Sequence, residues 1–134
     1  MTISSSPACF IHAGISVADR ERAIAWYEKY FGCSVVKRFE KPDLEIRGAV
    51  LQLGTATLEL LEVRRPHHTL RSNGSLVEEL RNIGVNHLAI GVADCTAWFE
   101  RLRKEGAELI TPLLGGTMFF CKDPDGTLLE IKQG

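Results

Sequence analysis

The sequence predicts an α+β fold: two tandem βαβββ modules forming a cupped, mostly antiparallel sheet, with the helices on the outside. Two observations carry that expectation. The octapeptide His12-Ala13-Gly14-Ile15-Ser16-Val17-Ala18-Asp19 recurs 75 residues later as His87-Leu88-Ala89-Ile90-Gly91-Val92-Ala93-Asp94, with five of eight positions identical. After each copy comes a helical pattern, then three strand-like runs. A self-similar stretch followed by the same succession of patterns marks a duplicated supersecondary unit.

The elements follow in order. Residues 10 to 17 alternate, with Ile11, Ala13, Ile15 and Val17 on one face and His12, Gly14 and Ser16 on the other, which predicts a strand. Asp19 can cap the next helix by accepting from free backbone N–H groups. That helix sets Ala23, Ile24, Tyr27 and Phe31 on one stripe and ends at Gly32, suited to a left-handed terminal residue. Strands are expected over about 34–40, 46–53 and 57–63. A connector, about 64–85, holds a short helix near Ser75 to Asn82. The second module repeats the plan with a strand over 87–92, Asp94 as cap, and a helix bearing Cys95, Trp98, Phe99 and Leu102 that closes at Gly106. Strands follow at about 108–111, 117–122 and 127–132, the last two joined by the turn Asp123-Pro124-Asp125-Gly126. The boundaries are thus a tail over 1–8 and one domain over 9–134, made of module 1 (9–63), the connector (64–85) and module 2 (86–133).

Composition narrows the function. Sixteen basic residues against seventeen acidic leave a net charge of -1, which disfavours a nucleic-acid partner held by phosphate neutralisation. No apolar run approaches the roughly 20 residues of a membrane-spanning helix. The serine-rich start, Met1 to Pro7, lacks the basic-then-apolar order of a signal peptide, and a cytoplasmic location is expected. The four cysteines, Cys9, Cys33, Cys95 and Cys121, show no C-x-x-C spacing. Each has apolar neighbours and is expected to be a small buried hydrophobe in a reducing compartment.

The chemistry lies on the other face of each first strand. There a histidine precedes residues with almost no side chain, so that face is expected to line a cavity. His12 and His87 hold equivalent repeat positions; His67 and His68, in the connector, are read as solvated loop residues. Glu59 shares a strand face with Leu61 and Val63, and a carboxylate on an apolar face calls for a partner or a cation. Glu130 ends the second module as Glu59 ends the first, whereas Glu62 falls on the opposite face, is read as solvated near the strand end and is left outside the site. Two imidazoles and two carboxylates suit one borderline divalent ion: Zn, Ni, Co, Mn or Fe(II). Such an ion could hold two adjacent substrate oxygens and lower the pKa of a neighbouring C–H or O–H group, with a glutamate moving the proton. Gln52, Met118 and Phe120 lie on strands that could face the same cleft and are candidate substrate contacts.

These motifs, in this order, resemble the vicinal oxygen chelate superfamily, which includes glyoxalase I, methylmalonyl-CoA epimerase, extradiol dioxygenases and fosfomycin- and bleomycin-resistance proteins. The resemblance spans residues 10 to 133 and rests on His12, Ala23-Ile24-Ala25-Trp26-Tyr27, Phe31-Gly32, Leu58-Glu59-Leu60, His87-Leu88-Ala89-Ile90, Asp123-Pro124-Asp125-Gly126 and Leu129-Glu130-Ile131. It implies paired βαβββ modules curling around a metal cleft, with His12, Glu59, His87 and Glu130 as ligands and Glu59 or Glu130 as base. It further implies a small-molecule substrate, a lyase or isomerase activity nearest the glyoxalase and epimerase branches, and a homodimer. An Fe(II)-dependent ring-cleaving dioxygenase and a non-catalytic small-molecule binding protein are the alternatives. The glutathione-contacting arginine and asparagine of the glyoxalase I branch fall here at Ser16 and Val63, so the substrate is left open.

Overall fold

A strand that must bury one face and leave the other clear should show alternating exposure, and the first strand of this protein does. A computed structural model describes residues 7–67 and 75–134. In β1 (His12–Val17), Ala13, Ile15 and Val17 turn inward while His12, Gly14 and Ser16 are exposed. The strand starts later than expected. Ile11 precedes it and is exposed rather than packed, as is Phe10, because neither has a ladder partner to hold it against the core.

The chain divides into two compact units, Met1–Arg65 and Pro66–Gly134. In the first, β1 is followed by α1 (Arg20–Phe31), β2 (Ser34–Lys41), β3 (Ile46–Leu53) and β4 (Ala56–Val63), in the spatial order β1-β4-β3-β2. The β1–β4 pairing is parallel and the other two are antiparallel. Asp19 caps α1, its Oδ1 accepting from the Arg22 N–H at 3.1 Å, and Gly32 ends the helix with φ 67°. Ala23, Ile24, Tyr27 and Phe31 are buried as their spacing requires. Arg20 is also buried, its Nη1 donating to the Gly48 carbonyl on β3 at 3.3 Å. With Leu51, Leu58 and Leu60 these side chains form the core between helix and sheet.

The second unit repeats this architecture after the connector helix α2 (Leu76–Leu80). It contains β5 (Leu88–Val92), α3 (Cys95–Lys104), β6 (Glu108–Leu109), β7 (Met118–Lys122) and β8 (Leu128–Gln133), in the order β5-β8-β7-β6. Asp94 caps α3 through the Ala97 N–H at 3.0 Å. Leu102, Phe119, Leu129 and Ile131 fill the core, and Phe99 meets Phe119 edge to face at 5.2 Å. The Asp123 carboxylate organises the β7–β8 turn by accepting from the Asp125 and Thr127 N–H groups at 2.9 and 2.8 Å.

Three expectations need correcting. β6 pairs over only two residues, because the N–H groups of Ile110 and Thr111 both converge on the Phe120 carbonyl and the ladder stops there. Cys33, Cys95 and Cys121 are buried, but Cys9 is exposed, since it lies ahead of β1 and outside the strand ladder. Glu62 is half-buried rather than solvated; its Oε2 lies 3.4 Å from Arg47 Nη1 without an aligned hydrogen bond. His67 is exposed, as a loop residue should be, while His68 and residues 1–6 lie outside the described residues.

Candidate metal and substrate site

In the first unit the parallel register sets Gly14 beside Glu59, so His12, two residues earlier on the same face, leans across the ladder. His12 Nε2 stands 3.7 Å from Glu59 Oε2. A Cβ built at Gly14 would stand 3.8 Å from Glu59 Oε1, an ordinary contact, so the approach does not itself require glycine there. Arg47 lies opposite Glu62, on the other face of the sheet from Glu59, and pairs with Glu40 and Glu62. The Glu59 carboxylate therefore faces an imidazole, half-buried, on a face otherwise lined by Leu61 and Val63. Gln52 shares this face through its pairing with Thr57, but its amide turns back to donate to the Gly54 carbonyl at 2.7 Å.

The second unit assembles its pair differently. Glu130 lies opposite Ala89 on one side and Phe120 on the other, which places it on the face that also carries His87. His87 turns to its chain neighbour, its Nδ1 lying 2.7 Å from Asn86 Oδ1, and its ring meets Phe120 edge to face at 5.4 Å. Met118 alternates onto this face as well and is half-buried. Gly91 leaves open space, with nothing within 4 Å of a built Cβ.

Each unit thus supplies one imidazole and one carboxylate on a sheet face kept clear by small residues. Nitrogen and carboxylate oxygen are the donors a borderline divalent ion takes, and His12 and Glu59 bring one of each together on one face of the first sheet. Among the described residues, no three or more His, Cys, Asp or Glu side chains come together as a ready-made cluster. A separate cavity of about 490 Å³ lies at the Arg47 end of the first sheet, lined by Glu40, Glu45 and Arg64 among others; it includes neither His12 nor Glu59.

Sequence reasoning passed over Asn86, Glu79 and Lys122. Lys122 Nζ and Glu79 Oε1 form a buried ion pair at 2.5 Å. Only one signal was available: a lysine closing the otherwise apolar run Met118-Phe119-Phe120-Cys121.

Two α+β units of like strand order, each with a histidine and a glutamate on one sheet face, define the class of fold. The chain belongs to the glyoxalase/bleomycin resistance protein/dioxygenase superfamily, whose profile matches residues 10–131. A probable lactoylglutathione lyase from Vibrio cholerae is 28% identical, covering 92% of this chain and 88% of its own. A lactoylglutathione lyase from Arabidopsis thaliana is 27% identical over 92% of this chain; the chain spans only 44% of that relative's length. The trypanothione-dependent glyoxalase I of Leishmania major shares the fold, with a TM-score of 0.77, 24% identity, and coverage of 95% of this chain and 87% of that one.

Proposed function

We propose that this protein is a divalent-metal-dependent lyase or isomerase of the glyoxalase type, acting on a small molecule with adjacent oxygens. Its ligands are His12, Glu59, His87 and Glu130. The observation that carries this reading is the His12–Glu59 pair at 3.7 Å, with no lysine or arginine paired to Glu59 among the described residues. The lyase names borne by relatives across most of this chain support it.

His12, Glu59, His87 and Glu130 would hold a divalent ion, and such an ion would supply Lewis-acid chemistry that acidifies a substrate C–H group beside oxygen. The chain's own residues do the rest. Glu59 or Glu130 takes a proton from that carbon and returns it to the neighbouring position. His12 Nε2 stands 3.7 Å from Glu59 Oε2, so an imidazole nitrogen and a carboxylate oxygen meet on one strand face. Phe120 and Met118 supply apolar surface beside Glu130, and exclusion of water there strengthens each charge interaction. Ser16 and Val63 offer no guanidinium or amide for a glutathione carboxylate, so the substrate need not be a glutathione adduct.

Elemental analysis of purified wild-type protein and of His87→Ala tests the reading. One equivalent of a divalent ion is expected in the wild type and its loss in the variant. An ion that persists unchanged in His87→Ala overturns the ligand assignment, and a wild type with no stoichiometric ion makes the protein a non-catalytic binder.

A further inference from the structure

A neutral histidine carries its proton on one ring nitrogen and a lone pair on the other, and only the lone pair can bind a cation or accept a proton. Which nitrogen is which at His87 follows from its neighbour. The Asn86 side chain makes two contacts: its Nδ2 lies 2.7 Å from the Glu79 carbonyl oxygen, and its Oδ1 lies 2.7 Å from His87 Nδ1. A backbone carbonyl only accepts, so the atom facing Glu79 must be the amide nitrogen. The oxygen is then left for His87, and an amide oxygen only accepts as well. His87 Nδ1 must therefore carry the hydrogen.

The anchor of this arrangement is firm. The same Glu79 carbonyl also accepts from Asn82 Nδ2 at 3.2 Å, and the Glu79 side chain is tied to Lys122 Nζ on β7 with both groups buried. Phe120, two residues before Lys122 on the same strand face, sets its ring against the imidazole at 82°. Lys122, Glu79, Asn86 and His87 thus form one continuous chain of contacts from β7 through the connector helix to the candidate ligand.

We infer that Asn86 is a positioning residue: it holds His87 as the Nδ1–H tautomer and leaves Nε2 as the free donor atom. The role of Nε2 as a metal ligand rests on the function proposed above; the tautomer does not. In free histidine the other tautomer, Nε2–H, is the favoured neutral form, so the protein is expected to reverse the intrinsic preference.

Long-range ¹H–¹⁵N correlation spectra of metal-free, ¹⁵N-histidine-labelled protein at about pH 8, where an ordinary imidazole is neutral, read this directly. Wild-type His87 is expected as the Nδ1–H form. Asn86→Ala is expected to shift the population toward Nε2–H, and Asn86→Asp, which keeps an acceptor oxygen but loses the donor that ties it to the Glu79 carbonyl, to recover Nδ1–H in part. A wild-type spectrum showing Nε2–H overturns the inference even if the variants fail to fold. So does an Asn86→Ala spectrum identical to wild type. Zn²⁺ titration should then show affinity about 10-fold weaker in Asn86→Ala and partly recovered in Asn86→Asp. Because the spectra are taken without metal, failure of the metal-centre reading leaves the tautomer result intact, and the reverse also holds.

Discussion

Glu79 and Lys122 form an ion pair at 2.5 Å with side chains only 3% and 5% exposed, joining the connector helix to the face of β7 that carries Phe120. Removing two charges from water is expensive, and their attraction in the interior offsets that only while both are present. Lys122→Met or Glu79→Leu alone is expected to destabilise the protein by about 3–5 kcal/mol, since each strands one buried charge. The double variant should recover most of that loss. Urea denaturation of the four proteins checks it, and additive losses would show that the two groups are not coupled.

Metal binding should be visible as stability. With free ion at about 100 times Kd, the wild type is expected to gain about 2.7 kcal/mol against unfolding. Glu59→Gln, which keeps the size of the side chain and removes its charge, should gain far less. Thermal melts with and without added Ni²⁺ or Zn²⁺ make the comparison. Equal gains in both proteins would remove Glu59 from the ligand set.

The cysteines should separate sharply by reactivity. Burial pushes the Cys33 thiol up to about 11 and the Cys121 thiol up to about 12, and it raises Cys95 as well. The thiolate is the reactive form, so these three are protected by both access and ionisation. Iodoacetamide at about pH 8 is expected to modify the exposed Cys9 alone, with the others reacting only in denaturant. Peptide mass spectrometry reads the sites, and labelling of Cys121 in the native protein would contradict the packing described for β7.

Acid should weaken one surface contact in a defined direction. Hydrogen bonds from Arg38, at 2.8 and 3.2 Å, hold the Glu21 carboxyl below its ordinary value of 4.5. A carboxylate lowered in the folded state stabilises the protein above that ordinary value, and the effect disappears as pH falls through the lowered one. The stability difference between wild type and Arg38→Gln is therefore expected to be small and constant near neutrality, then to close in acid. A difference that grows as pH falls would reverse the assignment. Both groups are largely exposed, so added salt should shrink the difference.

The repeat also makes a paired prediction. Asp19→Ala and Asp94→Ala remove equivalent side-chain caps, and each is expected to destabilise the protein by about 1 kcal/mol. Chemical denaturation of the two single variants checks this, and a near-zero effect at either position would show that water replaces that cap at no penalty.

Features governed by local chemistry were readable from the sequence. The alternation at Ala13, Ile15 and Val17, the caps at Asp19 and Asp94, the left-handed Gly32 and the Asp123–Gly126 turn each depend on a few adjacent residues. Contacts set by distant partners were not. The neutralisation of Glu62 by Arg47 depends on strand register, and the early end of β6 depends on where Ile110 and Thr111 find an acceptor. The pairing of His12 with Glu59 was anticipated only as shared chemistry; its geometry comes from the offset that sets Gly14, rather than His12, beside Glu59. Asn86 had no signature at all, since its importance comes from the connector helix docking beside it.

The parallel pairing of β1 with β4 joins His12 to Thr57, although β2 and β3 can already form a hairpin with β4 through short local turns. The long loop between these two segments must close before β1 finds its place, and closure entropy makes such non-local contacts slow to form. Among the described residues β1 is also an outermost strand of its sheet, paired with β4 alone. Its amides are therefore expected to exchange with solvent faster than those of β3, and the imidazole it carries is among the last groups to be set in place during folding and among the first released when the native state breathes.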